Sequence, residues 1–183
     1  SAASDVYKRQ IEHPNYVKEL LRYIITDLKR FRIIRGDDTL GGMVICETSE
    51  QARRLFAYFD EIQNELNKDA SSKSHFKVGL ILYDSDDKDT RENVITDFKD
   101  NFKVDMLIVY NMLLTGFDAP RLKRLYFGRK LRDHNLLQAI TRVNRPYKNN
   151  RYGYIIDFAD IKKNFDETNA AYLAELNKFN DPD

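Results

Sequence analysis

The stretch MLIVYNMLLTGFDAP, residues 106–120, joins a continuous apolar run to a loop that contains glycine, aspartate and proline. Five consecutive apolar residues followed by turn-forming residues are typical of a strand that is buried on both faces. Similar short runs occur four more times, and helical patterns separate most of them. The predicted strands cover residues 43–47, 78–83, 106–110, 124–128 and 153–157.

The segments between these runs have the spacing of amphipathic helices. In residues 13–31 apolar side chains recur at helical spacing, and Pro14 suits the first turn. Strands that alternate with helices predict an α/β fold, in which an open parallel sheet has helices on both faces. Ligands of such sheets bind beyond the carboxyl ends of the strands, so we expect the functional site there. Further helices are predicted over residues 51–66, 91–102, 134–145 and about 160–179.

Length and composition fit one domain with helical additions. The chain has 183 residues, of which 42% are apolar and 32% charged, enough to bury a core. We expect a helical lead-in over residues 1–36, the α/β lobe over 37–159 and a helical segment over 160–183. The opening residues SAASD are expected to be frayed.

The sequence also predicts where the protein works. No apolar run is long enough for a membrane span, and no signal-peptide pattern opens the chain. Cys46 is the single cysteine, which excludes an internal disulfide framework and suits a reducing compartment. We therefore expect a cytoplasmic protein that has no membrane partner.

Positive charge is concentrated in one part of the chain. The net charge is only +1, yet residues 121–151 contain ten Lys or Arg residues and one acid, Asp133. A basic block of this kind can face a polyanion. It can equally be a solvated surface, and Arg121, Lys123 and Arg124 can instead form ion pairs.

The loop over residues 111–120 has two interpretations. Gly116 permits backbone conformations that other residues resist, and Pro120 stiffens the exit from the loop. Asp118 can accept hydrogen bonds from a ribose or from a facing arginine. The alternative is an ordinary turn in which Asp118 bonds to nearby backbone.

The stretch QAITRVNR, residues 138–145, also has two interpretations. Gln138, Arg142 and Arg145 fall on one helical stripe, because they are spaced by four and three residues. Arg145 lies directly before Pro146, where a cation can interact with the helix dipole, and Arg142 can form a surface ion pair. The functional alternative is that both arginines stabilise the charge that develops in phosphoryl transfer.

The two stretches together are more specific than either alone. TGFDAP resembles motif V, and QAITRVNR resembles motif VI, of the second RecA-like lobe of superfamily 2 helicases and translocases. Beyond these motifs, the amino-acid sequence of about residues 13–162 resembles the restriction (R) subunit of type I restriction–modification enzymes. The stretches that carry this likeness are HPNYVKELLRYIITDLKRF, MVICETSEQARRLF, LLTGFDAPRLKRLYF and LLQAITRVNRPYKNNRYGYIIDFADI.

This resemblance implies a double-stranded DNA translocase that is driven by ATP. Gly116, Asp118 and Gln138 would lie at the bound ATP. Arg142 and Arg145 would be the catalytic residues, because they would face its γ-phosphate.

The resemblance also implies contacts with DNA. Thr48 and Ser49, at the predicted start of a helix, would bind a DNA phosphate, and Thr115 would contact the DNA backbone. The chain departs from the common motifs at three positions. Many members of superfamily 2 have Arg where this chain has Thr115, Gly where it has Thr141 and Thr where it has Tyr110.

One essential part of such a motor is missing from the sequence. No Gly-Lys dipeptide occurs, so the chain has no Walker A loop for the β- and γ-phosphates. We expect ATP and Mg²⁺ to be held mainly by a first RecA-like lobe before residue 1, and this chain alone not to hydrolyse ATP. The implied partners are double-stranded DNA, the first lobe and nuclease domain of a longer chain, and the methyltransferase and specificity subunits. Together they would form an ATP-dependent type I site-specific deoxyribonuclease.

Other interpretations have less support. Asp157 with Asp160 and Lys162 imitates a metal-dependent nuclease, but that chemistry needs the acid and the lysine on adjacent strands, and Asp160 is expected to open a helix. The acidic loop 84–89 lacks the glycine of an EF-hand, so no metal site is predicted. The alternative functions are a noncatalytic interaction module with this fold and a lobe of another superfamily 2 DNA or RNA helicase.

Overall fold

The computed structural model describes residues 1–69, 75–111, 117–128 and 143–180. Their strands form one sheet in the order β2-β3-β1-β4-β5, and every neighbouring pair is parallel. The predicted open α/β sheet is confirmed, and each strand lies within two residues of its predicted position. The strands are β1 (Gly41–Cys46), β2 (Val78–Leu82), β3 (Met106–Tyr110), β4 (Leu122–Phe127) and β5 (Tyr154–Asp157).

The described helices begin earlier in the chain than the sequence indicated. Helix α1 begins within the residues that we expected to be frayed. The Ser1 hydroxyl caps this helix by accepting a hydrogen bond from the Ser4 N–H at 3.2 Å. The predicted helix over 134–145 lies outside the described residues except for 143–145. No helix in the described ranges is both long and apolar enough to cross a bilayer. The helices are α1 (Ala2–Glu12), α2 (Pro14–Arg35), α3 (Ser49–Asn67), α4 (Lys88–Lys99) and α5 (Ala159–Asn180).

Apolar side chains cover both faces of the sheet. On one face, α1, α2, α3 and α5 pack over a core that includes Val44 and Ile108. On the other face, Phe98 of α4 packs in a second core with Ile45 and Leu107. Neighbouring residues of β1 therefore point to opposite faces, as the pleat of a strand requires.

Strand β1 begins earlier than predicted because two glycines are part of it. Gly41 and Gly42 read as the end of a turn in the sequence, but both pair with β4. A Cβ atom at Gly41 would lie 2.7 Å from the ring of Phe98. The glycine therefore lets α4 pack directly on the sheet.

The first basic residues of the 121–151 block lie inside the protein. Arg121 and Lys123 are 1% and 0% exposed. The Arg121 guanidinium donates hydrogen bonds to the carbonyl oxygens of Thr39 at 2.8 Å and of Phe98 and Val104 at 2.7 Å. Burial lowers the pKa of Arg121, although the nearby carboxylate of Asp105 opposes this effect.

Arg124 forms a bidentate ion pair across the sheet–helix interface. Its guanidinium donates two hydrogen bonds of 2.8 Å to Asp27 of α2, and the Tyr126 hydroxyl donates a third, of 2.5 Å, to the same carboxylate. Burial acts against the charge of Arg124, but the hydrogen bonds and charge of Asp27 outweigh it and raise the pKa of the guanidinium. Arg121, Lys123 and Arg124 are thus held inside the fold and are not part of an exposed basic surface.

Candidate functional site

Asp118 and Arg145 form an ion pair on the surface of the lobe. Arg145 Nη1 donates a hydrogen bond to Asp118 Oδ1, and the two side chains are 42% and 46% exposed for Asp118 and Arg145 respectively. The loop that follows β3 and the stretch that precedes β5 are therefore brought together. Of the partners expected for Asp118, the structure supplies the facing arginine.

Buried neighbours anchor each member of this pair. Phe117 and Ala119, on either side of Asp118, are 6% and 2% exposed. Val143, two residues before Arg145, is 1% exposed and belongs to the same apolar core as Phe117. These buried apolar side chains fix the backbone next to Asp118 and Arg145, from which the two charged side chains project to the surface.

The end of the QAITRVNR stretch is clamped between β4 and β5. Lys123 Nζ donates hydrogen bonds to the carbonyl oxygen of Val143, at 3.0 Å, and to that of Arg145. The Gly153 N–H donates to Asn144 Oδ1 at 3.2 Å. A Cβ atom at Gly153 would lie 2.3 Å from the Val143 carbonyl oxygen, so the segment is pressed against the chain that enters β5.

Lys123 is a functional candidate that the sequence interpretation missed. Burial, followed by the nearby positive charge of Arg145, lowers the pKa of Lys123 to about 8. A neutral amine still has two hydrogens, one for each of the two carbonyls, so both bonds can survive loss of the charge. The sequence offered no specific signal, because Lys123 stands beside Arg124 in β4 and both were counted in the basic block, with ion pairing as an alternative.

The Asp118–Arg145 pair does not lie where we expected the site. Lys123 is the second residue of β4, and its side chain contacts the Arg145 backbone. Asp118 comes four residues before β4 begins. Both residues therefore lie near the amino-terminal end of β4.

Thr48 and Ser49 begin helix α3 at the carboxyl end of β1, as predicted. The Thr48 hydroxyl caps the helix by accepting from the Gln51 N–H at 3.0 Å, and it donates to Glu12 Oε1 at 2.7 Å. Thr48 is 9% exposed, and Ser49 is half-buried. Helix α3 packs on the face of the sheet opposite to the core of Phe117 and Val143, so the structure does not group these residues with the Asp118–Arg145 pair.

Helix α1 covers the start of α3. The Tyr7 hydroxyl hydrogen bonds to both carboxylate oxygens of Glu47, at 2.7 and 2.9 Å. Arg54 Nη1 donates to the Glu12 carbonyl oxygen at 2.5 Å. The surface on which we predicted a phosphate contact is therefore occupied by α1 in this structure.

Several predicted site residues cannot be placed. Thr115, Gly116, Gln138 and Arg142 lie outside the described residues. In the ranges that the structure does describe, no three His, Cys, Asp or Glu side chains group as metal ligands. Lys162 lies in α5 and pairs with Asp166 at 2.5 Å, a helical position that does not suit a nuclease lysine.

The fold defines a class of protein. The chain resembles domain 2 of the Mss116p DEAD-box helicase, solved bound to an RNA duplex, with a TM-score of 0.50 and 13% identity over 77% of this chain and 50% of that one. It also resembles the C-terminal part of the Fun30 ATPase domain, with a TM-score of 0.50 and 13% identity over 73% and 40% of the two chains. At these identities the likeness concerns the fold, which is that of a RecA-like, C-terminal helicase lobe.

The family is indicated by sequence. Residues 82–160 match the family described as type I restriction enzyme subunit R domain 3. The chain is 38% identical over 129 residues to a Methanocaldococcus jannaschii protein named as the endonuclease subunit of the type I restriction enzyme MjaVIIP, and this match covers 69% of the chain. It is 32% identical over 151 residues, 73% of the chain, to the SauCOLORF180P endonuclease subunit of Staphylococcus aureus strain COL. The predicted resemblance to the R subunit is confirmed, and the chain spans 10% and 16% of the lengths of these relatives.

Proposed function

We propose that this chain is the second motor lobe of an ATP-dependent, double-stranded DNA translocase within a type I restriction endonuclease. The observation that supports this most directly is the exposed pair of Asp118 and Arg145, which joins the motif V and motif VI stretches on one surface. The likeness to R subunits supplies the reaction class.

The exposure of this pair suits an arginine that changes partners. A solvent-exposed ion pair contributes only about 0–1 kcal/mol, so Arg145 loses little when it leaves Asp118. A nucleotide phosphate offers a charge-assisted, bidentate contact in exchange. Arg124, whose side chain is only 18% exposed, is held by the Asp27 carboxylate, which is 15% exposed, and has no comparable freedom.

In this proposal ATP and Mg²⁺ are held mainly by a first RecA-like lobe. On closure of the two lobes, Arg145 and Arg142 face the γ-phosphate and stabilise the charge that develops during transfer. Asp118 orients Arg145 between cycles, and Gly116 and Gln138 border the nucleotide. Repeated opening and closing then moves the lobes along DNA.

The DNA contacts and the partners belong to the same proposal. Thr48 and Ser49 bind a backbone phosphate once α1 leaves the start of α3, and Thr115 contacts the DNA backbone from the motif V loop. The remaining partners are the nuclease domain of the longer chain and the methyltransferase and specificity subunits. Such an assembly works on cytoplasmic DNA.

The test is Arg145→Ala in the full-length subunit, assembled with its methyltransferase and specificity subunits. We expect DNA-stimulated ATP hydrolysis to fall about 10³-fold or more, because an arginine finger contributes roughly 10³–10⁵ to the rate. Arg22→Ala is the matched control, since the Arg22 side chain on α2 is 36% exposed and pairs with Glu19 of the same helix at 3.2 Å and with Glu65 of α3 at 3.1 Å. It should leave turnover unchanged.

Two results would contradict the proposal in different ways. Wild-type turnover in the Arg145→Ala enzyme would remove the catalytic role of this arginine. An assembled wild-type enzyme that binds DNA but hydrolyses no ATP would favour the noncatalytic interaction module.

A further inference from the structure

We propose that Lys123 is a positioning residue for Arg145, because it fixes the backbone from which the arginine reaches the nucleotide. This inference rests on the proposed function of Arg145. Lys123 itself does not touch the substrate in this account. It acts through the two carbonyl oxygens of Val143 and Arg145 that its ammonium group binds.

A local irregularity of the sheet supports this role. Gly41 pairs with Leu122 and Gly42 with Arg124, so the register of β1 and β4 shifts and Lys123 is the extra residue. Such bulges are uncommon between parallel strands, and they redirect side chains, frequently beside functional sites. Here the bulge coincides with the one strand residue that contacts the Arg145 backbone among the described hydrogen bonds.

The fold alone gives little reason for a lysine at this position. Lys123 is completely buried, and the like-charged Arg145 acts further against its positive charge. Burying an ammonium group costs free energy even when carbonyl oxygens accept its hydrogen bonds, and an apolar side chain would avoid that cost. What an apolar side chain cannot do is hold the two carbonyls.

Lys123 differs from the other contacts of this segment. Val143 and Gly153 limit how closely the segment approaches the sheet, through packing. Lys123 binds the carbonyl of Arg145 itself and so determines where its side chain starts. A displacement of about 1 Å in a reacting group can cost about 10²-fold in rate, so a small shift of this backbone is sufficient to impair catalysis.

The test is Lys123→Met in the full-length subunit of the assembled enzyme. Methionine has a similar length and suits a buried position, so the variant should fold. We expect the kcat of DNA-stimulated ATP hydrolysis to fall about 10- to 100-fold, with little change in KM for ATP, because the arginine acts in the transition state. Lys123→Gln, whose amide has two N–H donors, should lose less, and it also replaces the methionine variant if that one does not fold.

A double variant separates positioning from a general structural effect. In an Arg145→Ala background, Lys123→Met should cause no further loss, because the group that it positions is absent. An equal loss in both backgrounds, or wild-type turnover in the single variant, would overturn the inference. The single variant should also speed amide hydrogen exchange over residues 143–150.

The two proposals can fail separately. If Arg145→Ala keeps wild-type turnover, the proposed catalytic role of Arg145 is wrong, whatever the turnover of the Lys123→Met variant. If Arg145→Ala is inactive and Lys123→Met is fully active with unchanged exchange over residues 143–150, only the positioning role of Lys123 falls.

Discussion

Asp27→Asn should destabilise the fold far more than Asp118→Asn, although each change removes a carboxylate that pairs with an arginine. Asp27 receives two hydrogen bonds of 2.8 Å from Arg124 and one of 2.5 Å from Tyr126, and the side chains of the ion pair are 15% and 18% exposed. Removing one partner of a buried pair costs about 3–5 kcal/mol, because the other charge stays buried without compensation.

The structure narrows the expected loss in the free energy of unfolding for each substitution. Asparagine keeps one acceptor oxygen, and the pair retains some exposure, so we expect a loss of about 2–4 kcal/mol for Asp27→Asn. The pair of Asp118 with Arg145 is nearly half exposed, so Asp118→Asn should cost less than about 1 kcal/mol. The two substitutions are chemically identical, and each serves as the control for the other.

Urea unfolding of the 183-residue chain measures both losses. The chain has no tryptophan, so helix content followed by circular dichroism is the suitable signal. In a thermal scan each kcal/mol should lower Tm by about 2–4 °C for a chain of this size. Equal losses for the two variants, or a loss below about 1 kcal/mol for Asp27→Asn, would refute the division of the basic block into structural and exchangeable arginines.

Two further predictions concern α1 and Lys123. Glu12→Gln should tighten the binding of the chain to duplex DNA about two- to fivefold at low salt. The substitution removes a negative charge that competes with a phosphate at the start of α3, where a charge interacts with the helix terminus by roughly 0.3–1 kcal/mol. Fluorescence anisotropy measures the affinity, and an unchanged affinity would contradict a phosphate site at Thr48. The folded-state pKa of Lys123, about 8, lies below its ordinary value of 10.5, so between these values the unfolded chain binds more protons and stability rises with pH. Urea unfolding from about pH 7.5 to 10 should therefore show that wild type gains stability relative to Lys123→Met. If the stability of the two proteins changes with pH in the same way, the lowered pKa of Lys123 is wrong.

The sheet was predictable because most residues of its strands are apolar. Residues 106–110 have the predicted bounds in the structure, since nothing in the neighbouring sequence competes with a buried strand. Gly41 and Gly42 were misassigned because glycine pairs usually indicate a turn, and only the approach of Phe98 explains them. Helix α1 buries a single residue, Ile11, and its first residues were expected to be frayed.

The candidate site was predicted as a set of residues, and its arrangement was not. The two motif stretches supplied Asp118 and Arg145 as candidates, and the structure brings these two residues together as an ion pair. Sequence charge alone could not separate Arg145 from Arg121 and Arg124, because only the fold decides which cations are buried. Lys123 was missed for the same reason, since its partners are backbone carbonyls that carry no sequence signal.

The clamp on residues 143–145 has a mechanical consequence. Because Lys123 and Gly153 tie this segment to β4 and to the start of β5, a force applied to the Arg145 guanidinium is transmitted to the sheet instead of being absorbed by a yielding loop. Strand β4 pairs with β1 on both sides of the bulge at Lys123, and β1 lies at the centre of the sheet and leads directly into α3. In the proposed motor, a pull at the nucleotide would thus displace the whole lobe, including the helix end where DNA is proposed to bind.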